Sequence, residues 1–323
     1  MKICVAGGAG YIGSHTVKEL LNDGFEVLVL DDFSTGKREL LVGGDIRKID
    51  LRDAEAVRGV FQEEKIGAVL HFASLIQVGE SYENPHKYYT HNCLTSLNLL
   101  GSMASAGVRR FIFSSSAAVY GNPEHIPIRE DHPMKPANPY GMTKKMVEDV
   151  LPDYRRAYGI ESITLRYFNA AGADPGGRLG EMHEPETHLI PNILLPLLGR
   201  KKELCVFGTD FNTDDGTAVR DYIHVTDLAR AHILALKKLL HEPMSEALNL
   251  GAGKGFSVLE VIRMAEKVTG KKITYTTMPR RKGDVPVLLA SKEKAAAVLG
   301  WELEHSSLDT IIETAWDWHK KQP

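Results

Sequence analysis

Tyr140 and Lys144 stand one helical turn apart, just behind Asn138-Pro139. An ammonium beside a phenol favours the phenolate, so such a tyrosine can take a proton near neutral pH. Pro139 suits the first turn of a helix, where its missing N–H is not needed, and it drives Asn138 into an extended conformation. Met146, Val150, Leu151 and Tyr154 recur at three- and four-residue intervals and predict a helix over 142–158. Ser116 is the other candidate, closing the polar run Ser114-Ser115-Ser116 after the apolar strand Arg110–Phe113. A tyrosine and lysine at this spacing are also found simply packed together, so the surrounding elements must decide.

Those elements begin with Lys2–Ala6, a short apolar run ended by Gly7-x-x-Gly10-x-x-Gly13. A helical pattern follows, then the buried-strand run Glu26–Leu30, then Asp31. Strand, glycine turn, helix, strand and acid is the dinucleotide-binding layout, in which glycines let the backbone approach a pyrophosphate at a helix N-terminus. Asp31 is placed to accept from an adenosine ribose and would repel a 2′-phosphate, which selects NAD over NADP. Further strands are expected at Asp45–Leu51, Ala68–Phe72, Arg110–Phe113 and Ser162–Phe168, with a long helix over 85–106 between the second and third of these. The alternation predicts an α/β fold: a Rossmann-type doubly wound parallel sheet with a smaller C-terminal α/β substrate domain.

Composition bounds the partners. The chain has 323 residues, 43% hydrophobic and 25% charged, with net charge −3 and no long basic run, which argues against nucleic acid and anionic membrane surfaces. Three scattered cysteines argue against disulfides and zinc, and no apolar run reaches membrane-spanning length. A cytoplasmic protein is expected, with no metal site. The loop Asp210–Gly216 resembles a calcium loop, but its glycine is misplaced and Asp221 stands where glutamate is needed.

Beyond Asn169 the texture changes to a Gly-, Pro- and Glu-rich stretch over 170–188, expected of a domain crossing or a ligand-covering loop. A helix at 189–199, strands at 204–207, 222–225 and 247–250, and helices at 226–240 (capped by Thr226), after Ser257, near 292–299 and over 308–320 are expected. The domain division read here is 1–169 for the NAD-binding unit, rejoined at about 220–245, and 170–323 for the substrate unit.

Together, the glycine motif, Asp31, SSSAAVYG (Ser114 to Gly121) and Tyr140-x-x-x-Lys144 resemble the extended short-chain dehydrogenase/reductase family. HFAS (His71 to Ser74), LRYFNAAG (Leu165 to Gly172), RDYIHVTDLA (Arg220 to Ala229), NLGAGKGFSVLEV (Asn249 to Val261) and RRKGDVP (Arg280 to Pro286) extend the likeness over nearly the whole chain, and narrow it to the sugar-nucleotide 4-epimerase branch. The resemblance implies interconversion of UDP-glucose and UDP-galactose through a 4-keto sugar, with tightly held NAD. Tyr140 would be the base, tuned by Lys144, which would also bind the nicotinamide ribose, while Ser116 would hydrogen-bond the reacting oxygen. It also implies that Gly7, Gly10, Tyr11, Ile12, Gly13, Asp31, Asp50, Leu51, Phe72, Ala73 and Phe168 line the NAD site. Asn169, His188, Leu189, Val206, Phe207, Arg220, Tyr222, Arg281 and Asp284 would face a UDP-hexose, the two arginines pairing with its diphosphate. Leu288 takes the gate position whose bulk decides whether an N-acetylated sugar fits, so UDP-GlcNAc and UDP-GalNAc come into range.

The chain departs from the family pattern at Ile76, where a lysine is frequent, and at His91, where asparagine is common. Ala117-Ala118 replaces the Asp-Glu pair with which related dehydratases eliminate water. A uronate 4-epimerase and a non-catalytic NAD-binding protein remain alternatives at this level. Relatives pair through a four-helix contact, so a homodimer through the 85–106 and 142–158 helices is expected.

Overall fold

The computed structural model describes residues 1–281 and 283–322. In chain order its strands are β1 (Lys2–Ala6), β2 (Glu26–Asp31), β3 (Asp45–Lys48), β4 (Ile66–His71), β5 (Arg110–Ser116), β6 (Glu161–Tyr167), β7 (Asn169–Ala171), β8 (Leu204–Phe207), β9 (Val219–His224), β10 (Glu246–Leu250), β11 (Gly255–Ser257), β12 (Tyr275–Met278) and β13 (Val287–Leu288). Seven of them form one sheet in the order β10-β6-β5-β4-β1-β2-β3, every pair parallel. This is the doubly wound sheet expected. Both faces are covered: Ile3 and Val5 of β1 pack with Val17, Leu20, Leu228 and Leu236 on one side. Cys4 and Ala6 pack with Val57, Leu99, Leu100, Val147 and Leu151 on the other. Strands buried on two faces read as continuous apolar runs, as these do.

The chain returns to this sheet late, through the Val225–His241 helix and β10. The smaller unit is built on β9, which pairs with β7, β11 and β13, and on the parallel pair β8–β12. Its own core includes Ile190, Ile193, Leu194, Val261, Ile311 and Trp316.

Several local expectations need correction. The helix carrying Tyr140 starts at Pro139, not at 142, because Asn138 Oδ1 caps it by accepting the Gly141 N–H at 2.8 Å. The 85–106 segment is helical but not one regular helix: Pro85–Tyr88 and Leu94–Ala106 are joined by a π turn, Tyr89–Cys93. Thr226 does not cap the Val225–His241 helix; His224 does, its Nδ1 accepting the Thr226 N–H at 3.1 Å. The short strands β7, β11, β12 and β13 carry too few residues for a periodic signal.

One ion pair fastens the Pro139–Tyr158 helix to the sheet. Glu148 and Arg166 are both nearly buried, with Arg166 Nη2 2.6 Å from Glu148 Oε2. Arg166 also donates to the Tyr120 hydroxyl at 2.9 Å, and the Ser115 hydroxyl donates to Glu148 at 2.5 Å. The clamp joins the ends of β5 and β6 to the helix that presents Tyr140 and Lys144. Removing one partner leaves a buried charge uncompensated, so Glu148→Ala should cost about 3–5 kcal/mol in urea unfolding; a loss below about 1 kcal/mol would show the pair to be dispensable.

Candidate active site

All strands of the large sheet point the same way, so their carboxyl ends open onto one cleft of about 1500 Å³. Single small-ligand pockets run to about 1,000 Å³, so this one has room for two ligands end to end.

At the end of β1, Gly7 has φ +80°, and a Cβ there would sit 2.7 Å from Ala73 Cα. A Cβ on Gly13 would meet the Gly7 carbonyl and lie 2.9 Å from Gly8 Cα. Glycine at both positions lets the turn close against the neighbouring strand end, leaving the N-terminus of the Tyr11–Asn22 helix facing the cleft. Gly10, Tyr11 and Ile12 line the same wall. Tyr11 is buried, its hydroxyl donating to the Gly172 carbonyl at 2.6 Å, so it also ties this turn to the smaller unit. Asp31 ends β2 in the cleft wall, one oxygen accepting from Ala9 N–H and the other from Phe33 N–H, both at 2.9 Å. Burial raises its carboxyl above the ordinary value, against these two hydrogen bonds. Asp50, Leu51, Phe72, Ala73 and Phe168 complete this half, and Ile76 and His91 line it too.

At the middle of the cleft, Ser116 ends β5 and Tyr140 and Lys144 project from the first turns of their helix. Lys144 is 4% exposed, and its Nζ donates to the Ser114 carbonyl at 2.8 Å. The same Nζ lies 5.9 Å from the centre of the Tyr140 ring. Burial pulls this ammonium down to about 7, against the opposing charges of Glu148 and Cys93. Tyr140 moves the other way: burial raises its phenol, and only its hydrogen bond with Ser116 opposes the shift. In the protein alone, then, Lys144 does not by itself lower Tyr140, contrary to the expectation from their spacing.

The far half carries Asn169, His188, Leu189, Val206, Phe207, Arg220, Tyr222, Arg281, Asp284 and Leu288, all in the wall of the same cleft. Arg220 donates to the Val285 carbonyl at 2.8 Å and lies 3.9 Å from Asp284. Arg281 donates to Asp284 at 2.9 Å, its guanidinium 5.3 Å above the Phe207 ring. Asp284 therefore gathers two guanidinium groups at one spot. His188 is held by the buried Glu181 carboxylate, which together with Glu186 keeps its imidazole charged up to about 9 despite burial. Leu288 pairs in β13 beside Arg220 and packs against the apolar cluster that holds Ala117, Val119, Tyr120, Ile128, Phe168 and Ala290. Asp221, the last position of the calcium-like loop, faces inward instead, accepting the N–H groups of Ala252, Gly253 and Ala290 at 2.7–3.1 Å.

Three contributors had fainter signals. Glu148 repeats the four-residue spacing of Tyr140 and Lys144, which marks one helix face, and Arg166 is a charge within a buried strand. Asn92, in the π turn, bonds Leu75 through both side-chain ends and donates to Thr143 at 3.0 Å, linking the two helices. No local pattern marks it.

Comparison with known proteins agrees with this geometry. Residues 3–251 match the model of the NAD dependent epimerase/dehydratase family. A UDP-glucose 4-epimerase of Halalkalibacterium halodurans is 48% identical over 323 residues, covering 100% of this chain and 97% of its own. The crystal structure of UDP-glucose 4-epimerase from Brucella ovis in complex with NAD is 45% identical with a TM-score of 0.95, covering 98% and 97%. The UDP-Glc/GlcNAc 4-epimerase from Campylobacter jejuni is 39% identical with a TM-score of 0.86, covering 99% of each chain. With a glycine cradle, an inward tyrosine–lysine pair and an arginine-lined far half along one cleft, this chain belongs to the NAD dependent epimerase/dehydratase family.

Proposed function

We propose that the chain inverts the configuration at carbon 4 of UDP-hexoses, interconverting UDP-glucose and UDP-galactose. The observation that carries this reading is the position of Ser116, Tyr140 and Lys144, at the junction of a glycine-lined half-cleft and an arginine-lined one. Ala117 and Ala118 line the cleft beside them and can transfer no proton, which disfavours elimination of water.

The residues fit NAD: with no room for a Cβ at Gly7 or Gly13, the turn closes on the protein's own backbone and leaves the N-terminus of the Tyr11–Asn22 helix open to a pyrophosphate, and Asp31 stands beside the place an adenosine ribose would take. When bound, NAD supplies an acceptor for the carbon 4 hydride and gives it back, leaving no net redox change. Tyr140 takes the proton of the 4-hydroxyl and returns it, with Ser116 hydrogen-bonding the same oxygen. Because burial raises the Tyr140 phenol above an ordinary value that already lies well above neutral pH, its action as a base would depend on positive charge, from Lys144 and from the oxidised cofactor. Lys144 would also hold the nicotinamide ribose. Arg220 and Arg281 exchange part of their pairing with Asp284 for the diphosphate, which accepts bidentate guanidinium contacts. His188, Asn169 and Tyr222 flank the sugar, and Val206, Phe207 and Leu189 pack on the uridine end.

Residues 1–169 with the returning segment form the NAD-binding unit, and the remainder of 170–323 the sugar-nucleotide unit. Exposed Leu94, Leu97, Met142 and Met146 lie on two neighbouring helices and support pairing of two copies through a four-helix contact. The chain works in the cytoplasm on this reading.

Tyr140→Phe should lower turnover of UDP-galactose at least ~100-fold while the purified protein still carries NAD; unchanged turnover would overturn the assignment. Leu288 lines the cleft with a smaller side chain than the tyrosine that would exclude an N-acetyl group, so the enzyme is expected to turn over UDP-GlcNAc as well. Leu288→Tyr should abolish that activity and keep the UDP-galactose reaction; wild-type inertness towards millimolar UDP-GlcNAc would refute it. The buried lysine also predicts a pH effect. Its folded value near 7 lies below the ordinary 10.5, so the unfolded chain binds more protons between them and stability rises with pH across that window. The unfolding free energy of wild type relative to Lys144→Met should therefore rise by about 1.4 kcal/mol per pH unit between about pH 7 and 9. A flat difference would mean the ammonium is solvated.

A further inference from the structure

Glu181, His183, Glu186 and His188 meet in the loop that leads into the Leu189–Leu197 helix, and the proposed reaction leaves the first three without a role. Glu181 is 3% exposed, and its backbone carbonyl accepts from Trp318 Nε1 at 3.1 Å, fixing the loop to the C-terminal helix. The Nδ1 atoms of His183 and His188 both point at the same oxygen of the Glu181 carboxylate, His183 from 2.8 Å. The His188 backbone N–H donates to Glu186 Oε1 at 2.7 Å, and His188 Nδ1 stands 3.9 Å from that oxygen. One ligand atom from each of the four residues lies within 4.8 Å of all the others.

We propose that these four side chains bind one divalent transition ion of the zinc type. Two imidazole nitrogens and two carboxylate oxygens suit such an ion, whereas calcium and magnesium take oxygen-only sets. Bonds of ~2.0–2.1 Å in a tetrahedron separate ligand atoms by roughly 3.3 Å. The observed separations bracket that value, so the set closes on a metal by movements of about 1 Å. The two carboxylates balance the dication's charge, and the ion takes the place of the proton that His188 otherwise carries, so both imidazoles ligate in their neutral form. The ligands alternate within one short loop, so chelation closes small rings and adds little chain entropy cost. Asn192 holds the Glu186 and His188 carbonyls at 3.3 and 2.8 Å, which links the site to the first turn of the following helix. His183 and His188 also line the cleft, so the ion would lock its wall from behind, on the side of the smaller unit. With Nδ1 on the metal, His188 keeps Nε2 for the cleft.

The test uses the full chain carrying NAD, stripped with a chelator, dialysed and titrated with zinc chloride by calorimetry. One site per chain is expected, with Glu181→Gln and His183→Ala each weakening it at least ~10-fold. His183 is 22% exposed, so its variant keeps the test available if the buried Glu181 substitution prevents folding. X-ray absorption at the zinc edge should show nitrogen and oxygen neighbours at ~2.0–2.1 Å. Absence of a stoichiometric site, unchanged affinity in the His183 variant, or a sulfur shell at ~2.3 Å from Cys93 or Cys205 would overturn the proposal.

Discussion

Seven parallel strands leave all their carboxyl ends on one edge of the sheet, and backbone groups there have no further strand to pair with. Almost everything in the cleft follows from that edge. β1 delivers Gly7, β4 delivers Phe72 and Ala73, β5 delivers Ser116, and β6 delivers Phe168 and leads into Asn169 of β7. The crowding where β1 and β4 end is also why Gly7 must be glycine: a side chain there would enter the Phe72–Ala73 backbone.

The edge alone does not set the position of the base. The Pro139–Tyr158 helix is pinned by the Glu148–Arg166 pair beneath it, by Lys144 reaching the Ser114 carbonyl, and by Asn92 reaching Thr143. Burying two charges is costly unless their remaining polar atoms are satisfied, and here Ser115 and Tyr120 take that part. The outcome is a helix whose first turns cannot slide along the sheet, which is what a proton transfer over a fixed distance needs.

Burial acts oppositely on the two reacting groups, lowering Lys144 and raising Tyr140, because it penalises whichever form is charged. The site is therefore poised for added charge rather than charged in advance. At the other end, Arg220 and Arg281 are held against Asp284, whose single carboxylate keeps two guanidinium groups close and leaves one positive charge over.

Much of this was legible in the chain itself. Gly7, Gly10 and Gly13 between two apolar runs, with Asp31 closing the second, specify their own local geometry, because turn sterics and strand burial act over a few residues. The helix start at Ser257 is local in the same way: the Val258–Thr269 helix begins there, its capping box closed with Glu260. The tyrosine–lysine spacing marks a helix face, yet it misjudged the direction of the Tyr140 shift, since desolvation depends on what the rest of the fold stacks around the ring. The Thr226 cap failed because His224, held by Ser306 and Thr314 from distant segments, took its place. The π turn at Tyr89–Cys93 and the pairing of Glu148 with Arg166 likewise rest on contacts between segments far apart in the chain. Residue types and spacing determined which chemistry this protein carries; only the tertiary structure decided which groups are dry, which are paired and how far each reacting atom stands from the next, because dielectric and distance belong to the packed whole.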